Sequence, residues 1–136
     1  MPTRQNRLIS ALAVLAILVV GACLVANQAW KEADRRHRAE VLTGGRVERG
    51  RQAFIAIGCG GCHTLDDVPQ AHGLVGPPLD GIGERVMIAG KLANNPANLE
   101  RWISSPQSVV PGNAMPDMPM TGQDSRDIAA FLYSRT

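Results

Sequence analysis

The sequence predicts an all-α protein, a small helical domain with long loops, preceded by a single N-terminal transmembrane helix and a helical stalk. Three observations carry this expectation. From Leu8 to Ala26 there are 19 residues without a charge, enough at ~1.5 Å per residue to cross a ~30 Å hydrocarbon layer as a helix. Three later segments space their apolar residues as helices do and carry start or stop signals at their ends. Between Thr64 and Asn94 the chain is rich in Gly and Pro and lacks the sustained alternation that strands require.

The elements follow in order. Arg4 and Arg7 precede the apolar run and Trp30 follows it, where an amphipathic ring suits the membrane interface. Residues 1–30 therefore read as a membrane anchor of the signal-anchor type. Val20-Gly21-Ala22-Cys23 offers a second reading, a lipoprotein processing site that would leave a lipid on Cys23, and a simply cleaved signal peptide is a third. The continued apolar run Leu24-Val25-Ala26 favours the uncleaved helix. Residues 31–45 read as a charged, solvated stalk, because Glu32 precedes Arg36 and Asp34 precedes Arg38 by four residues, the favourable order for helical ion pairs. Thr43-Gly44-Gly45 marks its end and a hinge.

Residues 46–136 form the expected domain. Its first helix runs from Arg46 to Ile57 and stops at Gly58. The second begins at Asn95-Pro96, a cap followed by proline at the first helical position, carries Leu99, Trp102 and Ile103, and stops before Pro106. The last opens at Thr121, with Asp124 three residues on as a variant capping box, and buries Ile128, Phe131 and Leu132. The net charge of +2 hides a division. Lys31 to Arg51 holds seven basic and four acidic residues, whereas Gln52 to Thr136 holds five basic and eight acidic. An acidic body excludes a nucleic-acid footprint, which needs basic residues gathered on the folded domain. A domain of this size with few aromatics makes a small core, so a bound group is expected to fill its centre.

Cys23 lies within the apolar run, which leaves Cys59 and Cys62 as a unit. Cys59-Gly60-Gly61-Cys62-His63 is the pattern of c-type haem attachment. Two thiols three positions apart on a turn can reach two vinyl groups on one side of a porphyrin, and the adjacent imidazole projects at the iron. Glycines between them suit a tight turn against a flat ring. A zinc site wants four ligands, and beyond these three the chain offers only Cys23, His37 and His72. A dithiol redox pair wants a βαβ context, which the pattern lacks. Inert buried cysteines are the remaining alternative. Asp66-Asp67 and His72 read as solvated loop positions rather than metal ligands.

From Arg46 to Tyr133 the chain resembles a class I c-type cytochrome. The resemblance rests on Gly50-x-x-x-Phe54, the CGGCH motif, Gly76-Pro77-Pro78-Leu79, the stretch from Pro111 to Pro116 that contains Asn113 and Met115, and Ala130-Phe131-Leu132, in that order. It implies the class I cytochrome c fold, with long loops around one covalently bound haem c, Cys59 and Cys62 as attachment points and His63 as an iron ligand. Pro77 matches the residue whose carbonyl accepts the hydrogen bond of the ligand histidine. Gly50 and Phe54 should meet the last helix near Ile128 and Phe131. Leu79 and Trp102 should wall the haem pocket, Arg85 lies near the position that pairs with a propionate, and Asn113 belongs to the cofactor-binding set. Met115 matches the sixth ligand, with Met118 and Met120 close enough to compete.

A closed histidine–methionine iron implies a one-electron carrier and not an enzyme, without a small-molecule substrate. The stretch from Ala89-Gly90-Lys91-Leu92 through Asn113-Ala114-Met115 looks similar to cytochrome domains fused to, or working with, respiratory terminal oxidases. The expected partners are the membrane, a quinol-oxidising complex or another periplasmic donor, and a terminal oxidase as acceptor. A haem-bearing subunit of a periplasmic dehydrogenase is the alternative, and a sensor or peroxidase with an open sixth site is a further one; an assembly or structural subunit whose haem transfers no electrons is the last. The resemblance places the domain on the periplasmic side of a bacterial inner membrane. Lys31, Arg35, Arg36 and Arg38 outnumber Arg4 and Arg7, so the positive-inside tendency points the other way.

Overall fold

The computed structural model describes residues 3–135. Its contacts divide the chain into two units, residues 1–34 and 35–136. The first unit is the greater part of α1 (Arg4–Thr43). Its mean hydropathy reaches 3.0 over 18 residues, long and apolar enough to cross a membrane. Leu12, Leu15, Ile17, Leu18 and Val25 are all exposed, an arrangement that water penalises and lipid does not.

The second unit begins within α1. The last turns of that helix, expected as solvated stalk, bury Ala39 and Thr43. Helix α1 runs unbroken to Thr43, whose hydroxyl donates to the Ala39 carbonyl at 2.8 Å and accepts from the Gly45 N–H at 3.1 Å. Gly44 takes a left-handed φ of 68° to turn the chain, and a Cβ at Gly45 would collide with the backbone of Arg126. The Gly44-Gly45 pair is therefore a closely packed corner, and the small residues serve approach as well as turning.

Helix α2 (Val47–Ile57) has Arg46 at its N-cap, whose side chain caps nothing. Two carboxylates from elsewhere do so. Asp127 accepts from the Arg46 N–H at 2.7 Å and Glu40 from the Val47 N–H at 3.0 Å, which satisfies orphan donors and places negative charge at the positive end of the helix. Gly58 closes the helix in the left-handed region, with φ 86°.

Helix α3 (Pro96–Ser104) starts as expected, the Asn95 side chain accepting from the Asn98 N–H at 3.0 Å. Pro106, expected only to end it, opens a further short helix, α4 (Pro106–Val109). Proline suits that first position because its missing N–H is not needed there. Helix α5 (Gly122–Tyr133) has the complete capping box: Thr121 accepts from the Asp124 N–H, and the Asp124 carboxylate accepts from the Thr121 N–H. Thr121→Ala is expected to cost about 1 kcal/mol, read as a lower urea midpoint of the full chain; an unchanged midpoint would count against the cap.

Helices α2 and α5 form the heart of the domain. A Cβ at Gly50 would collide with the Asp127 carbonyl and the Phe131 Cβ, so glycine sets how closely the helices approach. The rings of Phe54 and Phe131 meet edge to face, with centroids 5.7 Å apart, a favoured geometry for aromatic quadrupoles. Leu99, Ile103, Ile128 and Leu132 complete the core.

The Gly- and Pro-rich region holds more order than its composition suggests. Single turns of 3-10 helix cover Cys59–Gly61 and Ile82–Glu84. A small hairpin pairs β1 (Met87–Ile88) with β2 (Leu92–Ala93), in the register Met87 to Ala93 and Ile88 to Leu92. Its turn places Ala89 and Gly90 at φ 49° and 67°, the mirror-image turn whose twist matches paired strands. Strands of two residues cannot show alternation in the sequence, and so were not expected.

Candidate cofactor site

Between α2, α3, α5 and the loops lies a cavity of about 520 Å³, in the size range of small-molecule and cofactor sites. Its lining brings together Cys59, Cys62, His63, Pro77, Leu79, Arg85, Trp102, Asn113 and Met115. Met118 also lines it. Met120 does not belong to this lining and instead packs against the core.

The turn carrying the cysteines is fixed by its backbone. The Cys62 and His63 N–H groups both donate to the Cys59 carbonyl, at 3.2 and 3.1 Å. The following loop wraps over it: Gly73 N–H donates to the Gly60 carbonyl at 2.9 Å and Gly76 N–H to the Cys62 carbonyl at 2.8 Å. The two motif glycines differ in what they do. A Cβ at Gly60 would press on the backbone of Gln70 and Ala71, whereas one at Gly61 would meet nothing.

Cys59 and Cys62 form no disulfide with each other. Cys62 is exposed and Cys59 half-buried. Burial pushes the Cys59 thiol up to about 11, its own backbone hydrogen bond opposing and the nearby Cys62 adding to the rise. It is thus a neutral thiol at neutral pH, unlike the depressed cysteines of dithiol redox sites. Among the described residues, no group of three or more His, Cys, Asp or Glu side chains is placed to hold a metal ion, which leaves the zinc reading without a site there.

His63 Nδ1 lies 2.8 Å from the Pro77 carbonyl oxygen. A carbonyl only accepts, so the contact places the proton on Nδ1 and leaves the Nε2 lone pair free. Gly76 makes room for the ring, since a Cβ there would fall against the imidazole atoms. The Pro77 loop is itself braced, because Arg85 Nη2 donates to the Pro78 carbonyl at 2.6 Å and the Asp80 carbonyl at 3.2 Å. Asn94 Nδ2 donates to the carbonyls of Ile82 and Arg85 at 2.6 and 2.8 Å, and its Oδ1 accepts from Tyr133 Oη at 2.7 Å. Sequence reasoning missed Asn94, and also Gln107, whose side chain donates to the carbonyls of Asn113 and Met115. Both act on backbone groups 5 to 12 positions away in irregular loops, where no helix or strand period gives a signal.

The cytochrome c family profile matches residues 47–136. The chain belongs to the cytochrome c family. Membership implies a domain that binds haem c and takes part in electron transfer. Over 89 residues, 65% of the chain, it is 43% identical to cytochrome c oxidase subunit 2 of Alkalihalophilus pseudofirmus. The protein of the same name from a Bacillus species (strain PS3) is 35% identical over 64% of the chain, and that of Bacillus subtilis 29%. The chain spans about a quarter of the length of each of these relatives, 25%. No solved structure matches it.

The cytochrome's cavity fits a haem on its own chemistry. A thiol pair, an imidazole with its Nε2 free and two thioethers, Met115 and Met118, line one cavity together with apolar residues such as Leu79, Ile82 and Trp102. Sulfur and imidazole donors are the usual axial set of such an iron.

Proposed function

We propose that the cytochrome carries one haem c, attached through Cys59 and Cys62 and ligated by His63 and Met115, and that it is a one-electron carrier and not an enzyme. The observation that carries this reading is the 2.8 Å contact of His63 Nδ1 with the Pro77 carbonyl, which fixes the tautomer that an iron ligand needs. When bound, the haem supplies a one-electron couple between ferric and ferrous iron. The chain's own groups do the rest. Cys59 and Cys62 would anchor the haem through thioether bonds, the apolar side chains of Leu79, Leu99 and Trp102 would line its cavity, and His63 and Met115 would take the iron's two ligand positions, leaving none for a substrate.

The membrane partner is supported by the Arg4–Thr43 helix, which keeps the domain near membrane enzymes and raises its local concentration there. The oxidase as electron acceptor is supported by relatives named cytochrome c oxidase subunit 2. The donor in this reading is a quinol-oxidising complex or another periplasmic donor, with the domain on the periplasmic side of a bacterial inner membrane.

The test is absorption spectroscopy of the full chain, oxidised and reduced, after expression with haem maturation. Wild type is expected to hold a low-spin haem through denaturation, with a methionine-to-iron charge-transfer band that Met115→Ala abolishes. Reduced protein should be reoxidised by membranes containing a terminal oxidase. A haem released by denaturant, or an iron that binds carbon monoxide freely, would count against the carrier.

A further inference from the structure

The loop that presents Met115 is organised by a residue outside the motifs that carry the family resemblance, Gln107 in α4. Its Nε2 donates to the carbonyls of Asn113 at 2.9 Å and Met115 at 2.7 Å, and its Oε1 accepts from the Gly112 N–H at 2.9 Å. Both amide protons and the carbonyl are thus used, and the amide has one sense only, because the flipped group would set oxygen against two carbonyls and N–H against N–H. The Gln107 backbone N–H donates to the Asp117 carboxylate at 3.1 Å, so α4 grips the loop on both sides of the methionine.

Asn113 adds the other half of the grip. Its Oδ1 accepts from the Met115 N–H at 2.8 Å, while its Nδ2 donates to the carbonyls of Pro106 and Val110 at 3.1 and 2.6 Å. The Met115 peptide is therefore held at both ends, N–H by Asn113 and C=O by Gln107. Met118 lines the same cavity, but among the described residues these hydrogen bonds converge on Met115 and none of them holds the backbone of Met118. Methionine has three rotatable bonds and adapts to many positions. Which of two neighbouring thioethers reaches an iron is then decided by which Cα is held in place.

We infer that Gln107 is the positioning residue that fixes the backbone from Gly112 to Met115 and so selects Met115 over Met118 as the sixth ligand. This rests on the axial-methionine reading above. It places the choice of ligand in α4, outside the loop itself, and makes Gln107 a determinant of how well the sixth position stays closed.

The experiment uses the full-length holoprotein as wild type, Gln107→Ala, Gln107→Glu, Met115→Ala and Met118→Ala. It records the methionine-to-iron charge-transfer band, carbon monoxide binding to the ferrous form, and the thermal midpoint. Gln107→Glu keeps the side chain's length but replaces both amide donors with carboxylate oxygen. Loss of two or three neutral hydrogen bonds corresponds to a change on the order of tenfold or more in the open fraction. Both Gln107 variants are therefore expected to weaken the band and to raise carbon monoxide binding by about that factor, at temperatures where they remain folded with haem attached. A purely structural role would lower the midpoint and leave both readouts as in wild type, and that result would overturn the inference while leaving the carrier intact. A band lost in Met118→Ala and kept in Met115→Ala would also overturn it. A wild type without the band would instead remove the axial-methionine reading itself.

Discussion

Gly76→Ala is expected to displace His63 and so to disrupt the proximal side of the haem site. The methyl group would lie against Cε1 and Nδ1 of the imidazole and 2.8 Å from Nε2. Neither side can yield cheaply. The ring is held at Nδ1 by Pro77, and the Gly76 N–H is held by the Cys62 carbonyl at 2.8 Å. Overpacking of this kind costs about 1–3 kcal/mol, and it falls on the group that must point at iron. Haem incorporation should drop, and whatever holoprotein forms should show weakened low-spin character. Gly61→Ala is the matched control, since a Cβ there meets nothing and a change within ~0.5 kcal/mol is expected. Spectra of Gly76→Ala identical to wild type would sink the argument that glycine is there to make room for the ring.

Asp127→Asn is expected to destabilise the domain by roughly 2–3 kcal/mol and to flatten its acid limb. The side chain is almost fully buried, 4% exposed, and burial alone would raise its carboxyl. Hydrogen bonds from Arg49, Gln123 and the Arg46 N–H, with the Arg49 charge, outweigh this and hold it below the usual carboxylate range. The individual contacts are 2.8 Å to Arg49 Nε, 2.8 Å to Gln123 Nε2 and 2.7 Å to the Arg46 N–H. A carboxyl lowered in the folded state contributes stability that is fully present above its unfolded pKa of ~3.9, and loses it as pH falls through the folded value. Wild type should therefore become easier to unfold below about pH 4, with a slope that Asp127→Asn reduces. Some slope remains, because Asp124 is also lowered, by hydrogen bonds from the Thr121 backbone and side chain. Urea midpoints measured from pH 3 to 7 would check this, and parallel curves for the two proteins would reject it.

Asp127 also shows where sequence reading reached its limit. The capped starts at Asn95 and Thr121, the stop at Gly58 and the apolar run of α1 are local events. Each depends on a side chain meeting a backbone group within a few residues, or on length and hydropathy alone, and each could be read directly from the order of residues. The CGGCH motif is local in the same sense, since one turn sets both thiols and the histidine. Beyond Cys59, Cys62 and His63, the nominated site residues came from the resemblance, and all nine line one cavity.

What only the tertiary structure decided are the contacts that no regular spacing along the chain encodes. Asp127 reaches Arg46 across 81 positions and Tyr133 reaches Asn94 across 39. Gly60 and Gly61 are identical in sequence, yet one is enclosed by Gln70 and Ala71 and the other is open. Met115 and Met118 share the same cavity, and the hydrogen bonds of Gln107 and Asn113 distinguish them. Residue type and periodicity determined which helices form, because those energies are summed over neighbours along the chain. Which backbone groups those helices then satisfy in each other depends on three-dimensional closure. A buried N–H or carbonyl needs a partner from wherever the fold supplies one, and no spacing along the chain specifies that choice.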